Sequence, residues 1–151
     1  MGESRSAGGI RAESRMDDAG SRENMVWRGG YGMIEVRDLS LTLGRKEILK
    51  NISLKLENGH IYGLVGNNGC GKTMLMRCIC GFIRPTAGEV SVDGKQIGVD
   101  MDYLPDAGVI LETPGFIPYY SGYRNLKALA DIRGVAGKKE ITETLELVGL
   151  D

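Results

Sequence analysis

The stretch Ile61-Tyr62-Gly63-Leu64-Val65-Gly66-Asn67-Asn68-Gly69-Cys70-Gly71-Lys72-Thr73 leaves this chain few folds to choose from. A short apolar strand feeds a glycine-rich loop, and the loop ends in Gly-Lys-Thr at the start of an apolar helix. Gly66, Gly71, Lys72 and Thr73 fill the fixed places of G-x-x-x-x-G-K-[ST]. Polyphosphate binding needs such an arrangement. Glycines let the backbone curl so that successive N–H groups face anionic oxygens. The helix that follows adds its positive N-terminal end. In this reading Lys72 neutralises β/γ-phosphate charge and the Thr73 hydroxyl ligates Mg²⁺. The competing explanation, a glycine turn that happens to carry Gly-Lys-Thr, leaves the strand–loop–helix context without a reason. Gly66, Gly69 and Gly71 do not fit the dinucleotide spacing G-x-G-x-x-G.

A chain of 151 residues is normally one domain with a real core. Nineteen basic and 20 acidic residues give a net charge of −1, which argues against a general nucleic-acid surface. The longest apolar candidate for a membrane span, Met74 to Ile83, is too short and is interrupted by Arg77. Cys70, Cys78 and Cys80 form an odd, clustered set without a secretion signal, which predicts reduced thiols and a cytoplasmic protein. Cys78-x-Cys80 reads as core packing rather than half a metal site, since there is no other Cys and the one His, His60, lies elsewhere.

Residues 1–32 are rich in Gly, Ser, Arg and acidic residues and show no period of 2 or 3.6, so their composition predicts disorder. Met33 then opens Met-Ile-Glu-Val-Arg-Asp-Leu-Ser-Leu, which also reads as a natural protein start, with residues 1–32 as upstream sequence translated in frame. Ile34/Val36 and Leu39/Leu41/Leu43 alternate as in a strand, and Gly44-Arg45-Lys46 makes a turn. Ile48, Leu49, Ile52, Leu54 and Leu56 form a second strand region. Asn58-Gly59 predicts a hairpin into Ile61–Val65, whose two apolar faces suit a buried parallel strand. From Met74 to Phe82 almost no polar face remains, so this helix is expected to be buried all round, with Gly81 and Pro85 bounding its end. Thr86–Lys95 reads as turn, strand and Asp93-Gly94 hairpin turn, and Gly108–Leu111 as another short strand. Ser121 caps a helix over Gly122–Arg133, and a second helix runs over Lys138–Val148 with Ile141, Leu145 and Val148 on one stripe and Gly149 as its stop.

This order of elements resembles the nucleotide-binding domain of ATP-binding cassette (ABC) transporters over Met33 to Asp151. Ile48-Leu49-Lys50-Asn51-Ile52-Ser53-Leu54 looks like the family's strand before the phosphate loop. Arg84-Pro85-Thr86-Ala87-Gly88-Glu89-Val90 resembles its turn after the first helix. Leu145-Glu146-Leu147-Val148-Gly149-Leu150 resembles a helix end in its helical subdomain. Leu111-Glu112-Thr113-Pro114-Gly115-Phe116-Ile117-Pro118 falls at the Q-loop and is similar to ATP-binding subunits of bacitracin- and lantibiotic-type exporters. The resemblance implies an α/β P-loop NTPase of ABC type: an N-terminal antiparallel β subdomain, part of a RecA-like core and the start of the helical subdomain. It implies ATP and Mg²⁺ as ligands, with Gly66, Asn67, Asn68, Gly69, Cys70, Gly71, Lys72, Thr73, Met74 and Leu43 around the nucleotide. The partners it implies are a membrane-spanning permease and a second nucleotide-binding domain docked head-to-tail, with no nucleic acid. The protein would sit on the cytoplasmic face of the membrane through the permease.

Four positions depart from the family's pattern. Glu112 stands where most members carry Gln; it either contacts Mg²⁺ or the attacking water, since a carboxylate oxygen is a hard ligand, or is a solvated loop acid. Leu43 replaces the usual aromatic against adenine, Met74 replaces a second Thr or Ser, and Cys70 replaces a small Ala or Ser. Cys70 is either a reactive thiol at a helix N-terminus or an inert small residue.

No Leu-Ser-Gly-Gly-Gln-like signature occurs in the 151 residues, nor an apolar strand ending in Asp-Glu, so no catalytic residue of the family is identified apart from the contact open to Glu112. The expectation is an N-terminal part of the domain that binds nucleotide and does not turn it over alone, with Ile61–Val65 lacking a strand neighbour and prone to aggregate. Two alternatives remain: part of a soluble ribosome-associated ABC protein, and a non-enzymatic remnant with weak nucleotide binding.

Overall fold

A computed structural model of the chain describes residues 11–14, 24–26, 32–105, 107–111, 115–134 and 136–150. They fall into two compact units, residues 1–112 and 113–151.

The first unit is built on two long strands, β3 (Met33–Leu43) and β4 (Lys46–Glu57), paired antiparallel through the Gly44 turn. In full the strands of the described residues are β1 (Arg11–Ser14), β2 (Asn24–Val26), β3, β4, β5 (Ile61–Val65), β6 (Ala87–Val92) and β7 (Lys95–Gln96), and helix α1 (Lys72–Ile79) follows β5. One sheet has the order β4-β3-β6-β7, and every ladder in it is antiparallel. Asp93 and Gly94 both take positive φ, 49° and 79°, the geometry of the two-residue turn that joins β6 to β7.

The apolar positions in β3 and β4 change phase, and the backbone changes with them. Ile34 and Val36 are buried on even numbers, Leu39 and Leu41 on odd ones. A strand can do this only by inserting a residue, because its side chains alternate with a period of two. The insertion is at Asp38, at φ 48°, and the β3–β4 register shifts between Val36 and Leu39. In β4 the same shift separates Leu49 from Ile52, Leu54 and Leu56, with Asn51 at φ 45°. Asp and Asn are the non-glycine residues that tolerate this region best. Two serines satisfy the displaced backbone: Asp38 N donates to Ser53 Oγ at 2.8 Å, and Asn51 N donates to Ser40 Oγ at 2.9 Å.

The core joins this sheet to α1. Ile34, Val36, Leu39, Leu41, Leu49 and Val92 pack with Leu75, Cys78, Ile79 and Cys80, all buried. The helix is not buried all round as expected: Leu75, Met76, Cys78 and Ile79 are buried, Lys72, Thr73, Met74 and Arg77 are partly exposed, and Phe82 beyond its end is exposed.

Several expectations are corrected. Ile61–Val65 is not a buried parallel strand: β5 pairs antiparallel with β1 on one edge and β2 on the other, and its ends, Ile61 and Val65, are exposed. It therefore does not lack neighbours: the extended segments Arg11–Ser14 and Asn24–Val26 satisfy the backbone groups that an isolated β5 leaves open. The Asn58-Gly59 turn joins strands of different sheets rather than a hairpin, with Glu57 N donating to the Tyr62 hydroxyl at 2.9 Å. Gly108–Leu111 forms no strand, and Ile110 is exposed.

In the second unit α2 (Gly122–Arg133) and α3 (Lys138–Leu147) pack together. Ser121 Oγ accepts from Arg124 N at 3.3 Å, and Gly134 closes α2 at φ 63°. Ile141 is buried and Leu145 partly so, whereas Val148 is exposed and does not complete the expected stripe. Asn125 is buried and holds the preceding loop: its Oδ1 accepts from Ile117 N at 2.8 Å and its Nδ2 donates to the carbonyls of Ile117, Tyr120 and Ser121.

The β3 bulge leaves room for no side chain at Gly88. A Cβ there would lie 2.4 Å from the carbonyl oxygens of both Arg37 and Asp38, at φ 77°. Gly94 has φ 79° but open space around it. Gly88→Ala is therefore expected to destabilise the unit by about 3 kcal/mol, and Gly94→Ala by about 1 kcal/mol. Urea unfolding midpoints of the two variants check the difference; equal losses would show that φ alone matters.

Candidate phosphate-binding site

Strand β5 delivers the chain to Gly66, and the loop turns tightly enough for Cys70 N to donate to the Asn67 carbonyl at 3.2 Å. Gly69 and Gly71 make the turn possible with φ of 80° and 100°. Gly71 is also the N-cap of α1, and its carbonyl accepts from Leu75 N at 2.9 Å. The opening N–H groups of a helix have no acceptor within it. Those of Lys72, Thr73 and Met74 therefore stand at the loop with the helix dipole behind them.

Gly71 is fixed by sterics as well as by conformation. A Cβ on it would come within 2.7 Å of Leu49 Cδ2, 3.1 Å of the Ile48 carbonyl and 3.3 Å of Ile48 Cγ2. The start of α1 is thus pressed against β4 with no gap. Ile48 and Leu49 are residues of the site that the motif does not name; the signal for them is the adjacent pair of aliphatics that interrupts the alternation of β4. At Gly69, by contrast, nothing lies within 4 Å of where a Cβ would be.

Lys72 closes the loop from one side. Its Nζ donates to the carbonyls of Gly66 at 3.0 Å and Asn67 at 3.2 Å. Thr73 is partly buried beside it, and Asn67 and Asn68 are exposed. This donor set, helix N–H groups, an ammonium and a hydroxyl, fits a polyphosphate and a bound hard cation. Among the described residues no cluster of three His, Cys, Asp or Glu could hold a metal on its own.

The remaining expected residues separate. Met74 is partly buried and packs against the core. Leu43, 46% exposed, ends β3 opposite Lys46, two residues before the Ile48 that abuts Gly71. β4 thus meets the phosphate loop at Ile48 and Leu49. Glu112 lies outside the described residues. Cys70 is partly buried against the core. Cys78 and Cys80 are buried, and burial raises both thiols, that of Cys78 to about 11.

The family model described as ABC transporter matches residues 49–151. The chain belongs to the ABC transporter family. Its ABC relatives include the uncharacterized ABC transporter ATP-binding protein YybJ of Bacillus subtilis (strain 168), 40% identical over 79% of this chain and 55% of that protein. The bacitracin transport ATP-binding protein BcrA of Enterococcus faecalis is 38% identical over 78% of this chain and 39% of that protein. The chain thus spans about half the length of the first of these ABC proteins and less of the second. A bacterial Atm1-family ABC exporter with ATP bound aligns at a TM-score of 0.39 and 17% identity, over 58% of this chain and 16% of that one, too slight a likeness to bear on the fold. The fold is the α/β architecture of the ABC ATPase domain, with its antiparallel sheet, phosphate loop and helical unit. No helix among the described residues is long and apolar enough to cross a membrane.

The burial of Cys78 and Cys80 separates the three thiols chemically. The thiolate is the nucleophile, so a thiol near pKa 11 is almost wholly unreactive at neutral pH. N-ethylmaleimide at about pH 7.5 is expected to modify Cys70 while Cys78 and Cys80 stay free until the protein unfolds. Peptide mass spectrometry reads this directly, and early labelling of Cys78 would contradict the packing.

Proposed function

We propose that this chain binds ATP with Mg²⁺ through the loop Gly66–Thr73 and forms part of the ATP-binding subunit of an ABC exporter. The observation that carries the reading is the loop itself: Gly71 seated against Ile48 and Leu49, with Lys72 drawn over the Gly66 and Asn67 carbonyls. Backbone N–H groups of Gly69 and of Gly71 to Met74 would face the β-phosphate, and the Lys72 ammonium would answer the β/γ charge. The Thr73 hydroxyl, and the Glu112 carboxylate from its own loop, would supply oxygens to Mg²⁺. Bound Mg²⁺ would draw charge from the phosphate oxygens.

The base would lie against the hairpin tip at Leu43. An aliphatic side chain offers contact without a stacked ring, so base recognition should be weak. Met74, with a thioether in place of a hydroxyl, adds no donor toward the α-phosphate.

Export, rather than import, is supported by the Leu111–Pro118 phrase and by the 38% identity to a bacitracin transport protein; identity falls to 30% for a spermidine/putrescine import protein of Legionella pneumophila. A permease and a second cassette would be the partners, with the protein held at the cytoplasmic face of the membrane. Hydrolysis belongs to the whole cassette in this reading, and binding to the residues described.

Titration with a fluorescent ATP analogue tests the site. Removing the charged donor in Lys72→Ala should weaken binding by about tenfold to a hundredfold. Leu43→Tyr should tighten it by about fivefold, the equivalent of ~1 kcal/mol from a stacked ring. N-ethylmaleimide on Cys70 should abolish it. Unchanged affinity in Lys72→Ala, or in the Cys70-modified protein, would remove the loop from nucleotide binding.

A further inference from the structure

Asn58 and Asn68 are the asparagines of this chain that glycine follows, and Asn68 stands in the phosphate loop. In such a pair the glycine nitrogen can attack the asparagine side-chain amide, because no side chain shields it. We propose that Asn68-Gly69 is a deamidation site whose conversion closes the loop to phosphate, and that bound nucleotide protects it. The proposal rests on the ATP reading of the same loop.

The attack is unobstructed. Asn68 and Gly69 are both exposed, in the middle of the turn that Cys70 N closes on the Asn67 carbonyl, with Gly69 at φ 80°. No atom lies within 4 Å of the place a Cβ on Gly69 would take. Among the described residues nothing accepts a hydrogen bond from Gly69 N, and nothing holds the Asn68 side-chain amide. The attacking nitrogen sheds its proton. The start of α1 and the Lys72 ammonium, 3.2 Å from the Asn67 carbonyl, favour negative charge in this loop. Asn58-Gly59 is exposed too, but its backbone is tied: Asn58 N donates to the Gly32 carbonyl at 2.9 Å, and its own carbonyl faces His60 Nδ1 at 3.2 Å.

The bond from Gly69 N to Asn68 Cγ forms as the Cγ–Nδ2 bond breaks, and the nitrogen's proton leaves with the amide group as ammonia. Solvent water then opens the succinimide ring at either carbonyl. One opening leaves an aspartyl residue at position 68. The other leaves an isoaspartyl residue, with the backbone routed through Cβ and Cγ. The net exchange is water in and ammonia out, with no oxidant or reductant. Either product sets a carboxylate beside the phosphate cradle, where like charges repel. The isoaspartyl form also adds a methylene to a turn whose curvature aims the N–H groups. A phosphate hydrogen-bonded to Gly69 N–H would occupy the attacking nitrogen, so a filled loop resists the reaction.

Ageing the full chain in warm, mildly alkaline buffer tests this, with peptide mass spectrometry reading both asparagines and a fluorescent ATP analogue reading the loop. Asn68 should convert ahead of Asn58, and binding should fall in step with Asn68. The converted chain should bind at least about tenfold more weakly, from the charge-assisted hydrogen bonds lost. ATP with Mg²⁺ should slow conversion at Asn68 and leave that at Asn58 unchanged. Asn58→Asp adds the same charge outside the loop and should bind as the parent does, whereas Asn68→Asp should reproduce the loss with the hydrogen exchange of β3 and β4 unaltered. Asn68 intact after Asn58 has converted would overturn the proposal and leave the ATP reading standing, as would full conversion of Asn68 with undiminished binding. A fresh chain that does not bind the analogue would instead fail the ATP reading, and the proposal with it.

Discussion

What the phosphate loop can do depends on the seating of Gly71 against β4. The loop must end where a helix begins, and the helix must begin where its free N–H groups converge on one hollow. Contact with Leu49 and Ile48 sets that point, because the available space at Gly71 is less than a methyl group. Conformation makes the same demand, with φ at 100°. The two constraints are independent, and each favours glycine over every other residue.

The seat depends in turn on the paired bulges in β3 and β4. Leu49 faces the core in one phase of β4, and Ile52, Leu54 and Leu56 face it in the other. Without the inserted residue at Asn51, either Leu49 or the following three would point to solvent. β3 makes the matching change at Asp38, so the two strands stay paired across the shift. Ser40 and Ser53 then accept the N–H groups that each bulge turns out of the ladder. Gly88 lets β6 lie against the β3 bulge, which ties the third strand to the same device. A sheet interior and a helix seat are thereby drawn from one strand.

Much of this was legible in the residues. The loop motif carries its chemistry in its spacing, and the turns at Gly44 and Asp93-Gly94 and the cap at Ser121 follow from local rules that tertiary structure did not override. The bulges are written as three-residue gaps, Val36 to Leu39 and Leu49 to Ile52, where alternation asks for two. The partners of β5 were not legible. A strand apolar on both faces reads as buried and parallel, but strand pairing is a long-range choice, and the polar composition of residues 1–32 disguised two short segments able to supply hydrogen bonds. Gly108–Leu111 failed for the opposite reason: its apolar run names no partner strand, and none of the described strands pairs with it. Ile48 and Leu49 belong to the site through packing alone, which no motif records.

The position of Lys72 bears on how such a loop receives an anion. Its ammonium is already hydrogen-bonded to Gly66 and Asn67, two successive carbonyls at the loop's entry. Those bonds tie the end of the loop back to its beginning before any phosphate arrives. In the proposed function an incoming polyphosphate would meet a loop whose curvature is set, and little of its binding energy would go into ordering backbone. The same bonds limit the cost of leaving a cation beside a helix N-terminus, where its charge and the dipole repel. The carbonyls hold the lysine in a place that is electrostatically poor for it alone and favourable once negative charge lies between ammonium and helix. The loop is therefore held in a form whose unfavourable term an anion would remove, which is what preorganisation would mean physically for the phosphate site proposed here.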